Sequence, residues 1–131
     1  MKQLEDDFDL TQLPNWLSLA RTSSNHSDYK IKVGSVLVKH NRVLAIGFNR
    51  SKTHPKSARH AVTIHAEHSA LIVANGANLQ GATVFVYRAT ANGKPALAKP
   101  CSNCCKLLVK QGVKRMVYTV PEYPYFAIAK F

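Results

Sequence analysis

The stretch CSNCCKLLVKQGVKRMVYTV, residues 101–120, decides the fold. CSNCCKLLVKQG reads as a helix and VKRMVYTV as a β-strand. Upstream, GATVFVYRA (81–89) reads as another strand and TANGKPALAK (90–99) as the loop between strand and helix. Working back, HAEHSALIVAN (65–75) predicts a second helix that stops at Gly76. KVGSVLVKH (32–40), Asn41-Arg42 and VLAIGFN (43–49) predict a β-hairpin rich in β-branched residues. RSKTHPKSARHAVT (50–63) reads as a polar, basic loop without a strong period. PNWLSLARTSSN (14–25) predicts a first helix, with Pro14 at an early helical position and Trp16, Leu17, Leu19 and Ala20 for burial. Strands alternating with helices after an initial hairpin indicate an α/β layer fold with a mixed sheet.

Length and composition bound what such a fold can do. The 131 residues suffice for one compact domain with a real core, and 46% hydrophobic against 19% charged residues is a globular composition. No apolar run approaches the ~18 residues of a membrane span, and MKQLEDDFDL is too acidic for a secretory signal, so a cytoplasmic protein is expected. Cys101, Cys104 and Cys105 are too close together for a spaced disulfide framework, which favours metal or redox chemistry. Eighteen Lys and Arg against seven Asp and Glu give a formal charge of +11. Between Tyr29 and Pro121 the only carboxylate is Glu67, while 15 of the 18 basic residues fall in that span. Such a surface attracts phosphate-bearing ligands, or is simply a solubilising one.

Two segments carry chemistry. His65 opens the second predicted helix, and Cys101 and Cys104 share one face at the first turn of the third. Thiolates are favoured at a helix N-terminus, and two sulfurs with one imidazole nitrogen suit Zn²⁺. Three protein ligands leave a fourth position open, which marks a catalytic zinc rather than a structural one. Glu67 is out of phase with His65 on a regular helix, so it is not read as a fourth ligand. It suits general acid/base work beside the metal. A Cys-x-x-Cys alone also suits a zinc knuckle or a redox pair; His-x-Glu upstream and Pro100 before the first cysteine favour catalysis. Cys105 reads as a buried bystander.

His65-Ala66-Glu67 together with Pro100-Cys101-Ser102-Asn103-Cys104 resembles the cytidine and deoxycytidylate deaminase superfamily. GSVLVKHNRVLAIGFNR, HAEHSAL and PCSNCCKLLVKQGVKRMVYT extend the resemblance over roughly residues 30–120, closest to deoxycytidylate deaminases. It implies a three-layer α/β/α fold with a mixed central sheet of four to five strands, in which a fifth strand comes from YPYFAIAKF (123–131) or is absent. It implies a single deaminase domain over 1–131, with an acidic segment at 1–13 and an aromatic tail at 121–131. It further implies zinc on His65, Cys101 and Cys104, Glu67 as the catalytic proton carrier, Asn49 against the sugar, and the Ala66 backbone N–H against the base. The stretch YRATANGKPALAK (87–99) is longer than the family pattern.

Arg50, Lys52 and Lys56 follow Asn49 and are candidate phosphate contacts, although their loop also reads as a merely solvated one. Tyr123, Tyr125 and Phe126 suit packing on the core or a partner subunit better than stacking on a base. The expected substrate is a free pyrimidine deoxynucleotide such as dCMP. Single-stranded DNA or RNA is the alternative, and a catalytically inactive nucleic-acid-binding relative is argued against by the intact Glu67. The other expected partner is a further copy of the chain; a membrane is not one.

Overall fold

The computed structural model describes residues 13–27, 31–52, 62–90 and 92–131. The expectations placed on residues 1–12 and on Lys56 lie outside the described residues.

The hairpin forms as the sequence indicates. Strands β1 (Val33–Lys39) and β2 (Arg42–Phe48) pair antiparallel across a two-residue turn. His40 and Asn41 both take positive φ, 50° and 62°, the backbone of a tight hairpin turn whose twist matches the strands. β1 also pairs antiparallel with β5 (Thr83–Arg88), which runs parallel to β6 (Arg115–Thr119). β7 (Phe126–Lys130) closes the sheet antiparallel to β6, so YPYFAIAKF does supply the fifth strand. The order is β2-β1-β5-β6-β7. Tyr123 stays exposed with its ring edge-on to Tyr125, while Phe126 packs beneath the sheet.

Among the described residues, three helices cover the two faces. α1 (Leu13–Ser24) lies over one face, where Ala20, Val36, Val38, Phe85 and Val117 form a core with Trp16 and Leu17 against it. α2 (Ala66–Val73) and α3 (Ser102–Lys110) cover the other, where Leu37, Val84, Val86, Ala70 and Leu108 are buried together. Alternate residues of β1 and β5 thus enter opposite cores, and the three-layer α/β/α arrangement follows. β5 is buried on both faces, so its sequence reads as a continuous apolar run.

Three details differ from the sequence expectation. The basic loop is bracketed by a short ribbon, β3 (Arg50–Lys52) paired antiparallel with β4 (Val62–Ile64). Three-residue strands are too short to show a period. Helix α2 ends at Val73 rather than running to Asn75. Both α2 and α3 begin one residue later than read, which leaves His65 and Cys101 as their N-caps. At the other end of α3, Gly112 takes φ 92° while its N–H donates to Val109 O (2.9 Å) and that of Val113 to Leu108 O (3.0 Å). That closing motif turns the chain into β6.

Close backbone approaches fix where α2 starts. A Cβ on Gly47 would lie 2.3 Å from Ala70 N and 2.6 Å from Ala66 O, so β2 and α2 are in direct backbone contact. Ser35 Oγ donates to Ala66 O at 2.7 Å, tying the first turn of α2 to β1. Gly47→Ala forces α2 away from the sheet and is expected to cost about 1–3 kcal/mol or more, measured as a lower urea midpoint. An unchanged midpoint would show that α2 does not sit this close to β2.

Candidate active site

The two N-caps face each other. His65 (φ −68°, ψ 154°) and Cys101 (φ −69°, ψ 167°) have extended backbones, and neither side chain caps its own helix. Their carbonyls accept the first helical bonds instead, from Ser69 N–H and Cys105 N–H, each at 2.9 Å. The side chains are thereby free to meet. His65 Nδ1 lies 3.5 Å from Cys101 Sγ and 3.3 Å from Cys104 Sγ.

These separations fit a shared metal. Two donors on a tetrahedral zinc, with Zn–N about 2.0–2.1 Å and Zn–S about 2.3 Å, stand roughly 3.6 Å apart. The ligating atoms of His65, Cys101 and Cys104 all lie within 4.8 Å of one another, the one such group of three among the described residues. Cys105 is outside the group and half-buried rather than buried as read from the sequence; its thiol turns toward Pro100 O at 3.5 Å.

Glu67 sits at the second position of α2, only 5% exposed and beside the Cys104 thiol. Burial raises its carboxyl pKa above the ordinary value, against the opposing pull of its backbone hydrogen bond, of His65 and of Cys104. Burial also pushes the Cys104 thiol pKa up, with further contributions from the Glu67 charge and from Cys101. The Cys104 thiol and the Glu67 carboxyl group, so close together and buried, resist ionising without a cation beside them. A divalent ion relieves that resistance, which is a second reason the donor set fits zinc.

A cavity of about 240 Å³ opens beside these groups. Four chain segments line it: Val33 and Asn49 from the hairpin, His65, Ala66 and Glu67 at the start of α2, Arg88 at the end of β5, and Leu97, Ala98, Lys99 and Cys101 leading into α3. Asn49 is buried and holds the hairpin's rim: Oδ1 accepts from Val33 N–H (2.9 Å) and Nδ2 donates to Ile31 O (2.7 Å). Each end of its amide has one hydrogen-bonding position left for a ligand. Arg50 is exposed on β3 and does not line the cavity; the Lys52 side chain lies outside the described residues. Arg88 and Lys99 went unassigned in the sequence. Their signal was positional: Arg88 ends a strand at the carboxyl edge of the sheet, where α/β folds bind ligands.

No helix among the described residues is long and apolar enough to cross a membrane. The sequence profile of the cytidine and deoxycytidylate deaminase zinc-binding region matches residues 10–120. Deoxycytidylate deaminase of Mycobacterium phage D29 is 30% identical, covering 80% of this chain and 94% of that protein. The mouse deoxycytidylate deaminase is 24% identical, covering 82% and 64%. Among solved structures, dCMP deaminase from cyanophage S-TIM5 in complex with dCMP and dUMP superposes with a TM-score of 0.66 at 22% identity, over 86% and 84% of the two chains. Cytidine deaminase from Burkholderia pseudomallei gives a TM-score of 0.65 at 19% identity, over 89% and 91%. The solved structures share the fold; the profile, spanning both cavity walls and both halves of the His/Cys cluster, places the chain in the cytidine and deoxycytidylate deaminase family.

Proposed function

We propose that the chain is a zinc-dependent deaminase of a free pyrimidine deoxynucleotide, turning dCMP and water into dUMP and ammonia. The observation that carries this reading is the meeting of His65 Nδ1 with the Cys101 and Cys104 thiols, at 3.5 and 3.3 Å, beside buried Glu67 on one cavity wall. The phage D29 relative and the S-TIM5 enzyme with dCMP and dUMP support a monophosphate substrate. The three unpaired cysteines suit a reducing compartment, and we place the protein in the cytoplasm.

His65, Cys101 and Cys104 would hold the metal. When bound, zinc supplies Lewis acidity that lowers the pKa of water toward neutrality and so provides a nucleophile at ordinary pH. Glu67 does the proton work. Its carboxylate takes a proton from the water whose oxygen bonds to C4 of cytosine, and delivers that proton to N3. It then carries the remaining proton from the oxygen at C4 to the amine. The C4–N bond breaks, ammonia leaves, and the uracil carbonyl remains. A carboxyl pKa raised by burial brings Glu67 nearer the working pH, where one group serves best as both base and acid. Ala66 is the first residue of α2, so no intrahelical carbonyl takes its N–H, which is free for the base. Asn49 offers its remaining hydrogen-bonding positions to the sugar.

Metal analysis of protein prepared without chelator is expected to give about one zinc per chain. Cys101→Ala and Cys104→Ala should remove it and Cys105→Ala should not; zinc retained by Cys101→Ala contradicts the ligand set. Glu67→Gln should keep zinc and fold yet lose turnover of dCMP by about 10²-fold to 10⁴-fold, whereas near-parental turnover would mean that another group carries the protons. In a panel of cytidine, CMP, dCMP, dCTP and cytosine-bearing oligonucleotides, dCMP should give the highest kcat/KM for uracil formation. Preferred attack on oligonucleotides, weakening steeply with salt, would instead establish a polynucleotide substrate.

A further inference from the structure

Arg88 and Lys99 are the only arginine and lysine on the cavity wall among the described residues. We propose that they form an anion-binding rim that takes the 5′-phosphate of the substrate and selects a nucleoside monophosphate over a bare nucleoside. This rests on the deaminase reading above.

The rim is built rigidly. The Arg88 N–H donates to Thr119 Oγ1 at 3.1 Å, and Arg88 O accepts from Ala96 N–H at 2.9 Å. Thr119 Oγ1 donates to Ala96 O at 2.6 Å, and Ala98 N–H donates to Thr119 O at 3.0 Å. With the bridge between Ala89 and Pro95, these bonds hold the run into α3 along the ends of β5 and β6 and deliver Lys99 to the cavity edge. The described residues between Arg88 and Lys99 are therefore hydrogen-bonded structure that places a cation. Arg88 Nη1 donates to Leu97 O at 3.4 Å, which orients the guanidinium along the same edge. That uses one of five N–H donors and leaves enough for a paired grip on phosphate oxygens.

Charge points to a terminal phosphate. Among the described residues Glu67 is the only carboxylate on the cavity wall; it is also the only one in sequence between Tyr29 and Pro121, and it lies buried against Cys104. Neither rim cation has a neighbouring acid in sequence to neutralise it. One Arg and one Lys match the charge of about −1.5 to −2 that a phosphate monoester carries near neutral pH. A phosphodiester within a polynucleotide carries only one.

The test is equilibrium binding of dUMP and deoxyuridine, neither of which is consumed, to zinc-loaded protein at low salt. The parent should bind dUMP at least about tenfold more tightly than deoxyuridine. Arg88→Gln and Lys99→Gln should each remove most of that preference while leaving deoxyuridine binding unchanged. Arg88→Lys, which keeps charge without the fork, should fall between. Lys99 is exposed, so Lys99→Gln reads the rim even where Arg88→Gln disturbs folding. Equal binding of both ligands by the parent overturns the proposal, as does a variant pair that keeps the preference or weakens both ligands alike. It is overturned too if the preference is lost only in the combined Arg50→Gln, Lys52→Gln, Lys56→Gln variant. Turnover of dCMP, assayed in parallel, separates the two readings. Phosphate preference without turnover defeats deamination and leaves the rim standing, while turnover without phosphate preference defeats the rim alone.

Discussion

The approach of one imidazole nitrogen to two thiols, at 3.3 and 3.5 Å, is the constraint on which the site depends. It requires the N-termini of α2 and α3 to meet at the edge of one sheet, and the packing beneath them is organised to that end. Gly47 lets α2 rest on the backbone of β2, and Ser35 ties the carbonyl of Ala66 to β1. Gly34 plays the matching part on the other face, where a Cβ would lie 1.9 Å from Ala20 O. Ser23 Oγ donates to Gly47 O at 2.7 Å, joining α1 to β2 where α2 rests from the opposite side. Displacement of either helix by the width of a methyl group would pull nitrogen and sulfur beyond the reach of one ion.

Placing the candidate metal donors at N-cap positions has a physical cost and a return. An N-cap is usually Ser, Thr, Asp or Asn, whose oxygen satisfies a free N–H of the first turn. His65 and Cys101 forgo that bond. In exchange their side chains sit at the positive ends of two helices, where thiolates are stabilised. Cys104, one turn into α3, is the third candidate donor, and Glu67 at the second position of α2 lies beside it. In a chain with a formal charge of +11, these thiols and this carboxylate gather the potential negative charge at the point where the three candidate donors converge.

Much of this was legible in the sequence because the donors announce themselves in short, fixed spacings. His65-Ala66-Glu67 and Pro100 to Cys104 could be read without knowing the fold, and the apolar runs of β1 and β5 fixed the layers. What stayed hidden depends on contacts distant in sequence or on atypical ends. His65 and Cys101 carry no capping signature, so both helices were read one residue too long at their starts. β3 and β4 exist only by pairing with each other, and neither RSK nor VTI has a period of its own. Arg88 and Lys99 are eleven positions apart in numbering and reach one cavity only because Thr119, on another strand, pins the segment between them. Arg50, by contrast, stood next to Asn49 in sequence, but the structure turns it to the exposed side of β3.

In the proposed site His65, Cys101 and Cys104 share one zinc and leave room on it for a small ligand. X-ray absorption at the zinc edge of the loaded protein reads that arrangement. Two sulfur scatterers at about 2.3 Å, with one imidazole nitrogen and one further light atom at about 2.0–2.1 Å, are the predicted shell. Three sulfurs, which would bring Cys105 into the site, or a shell without sulfur would contradict the account.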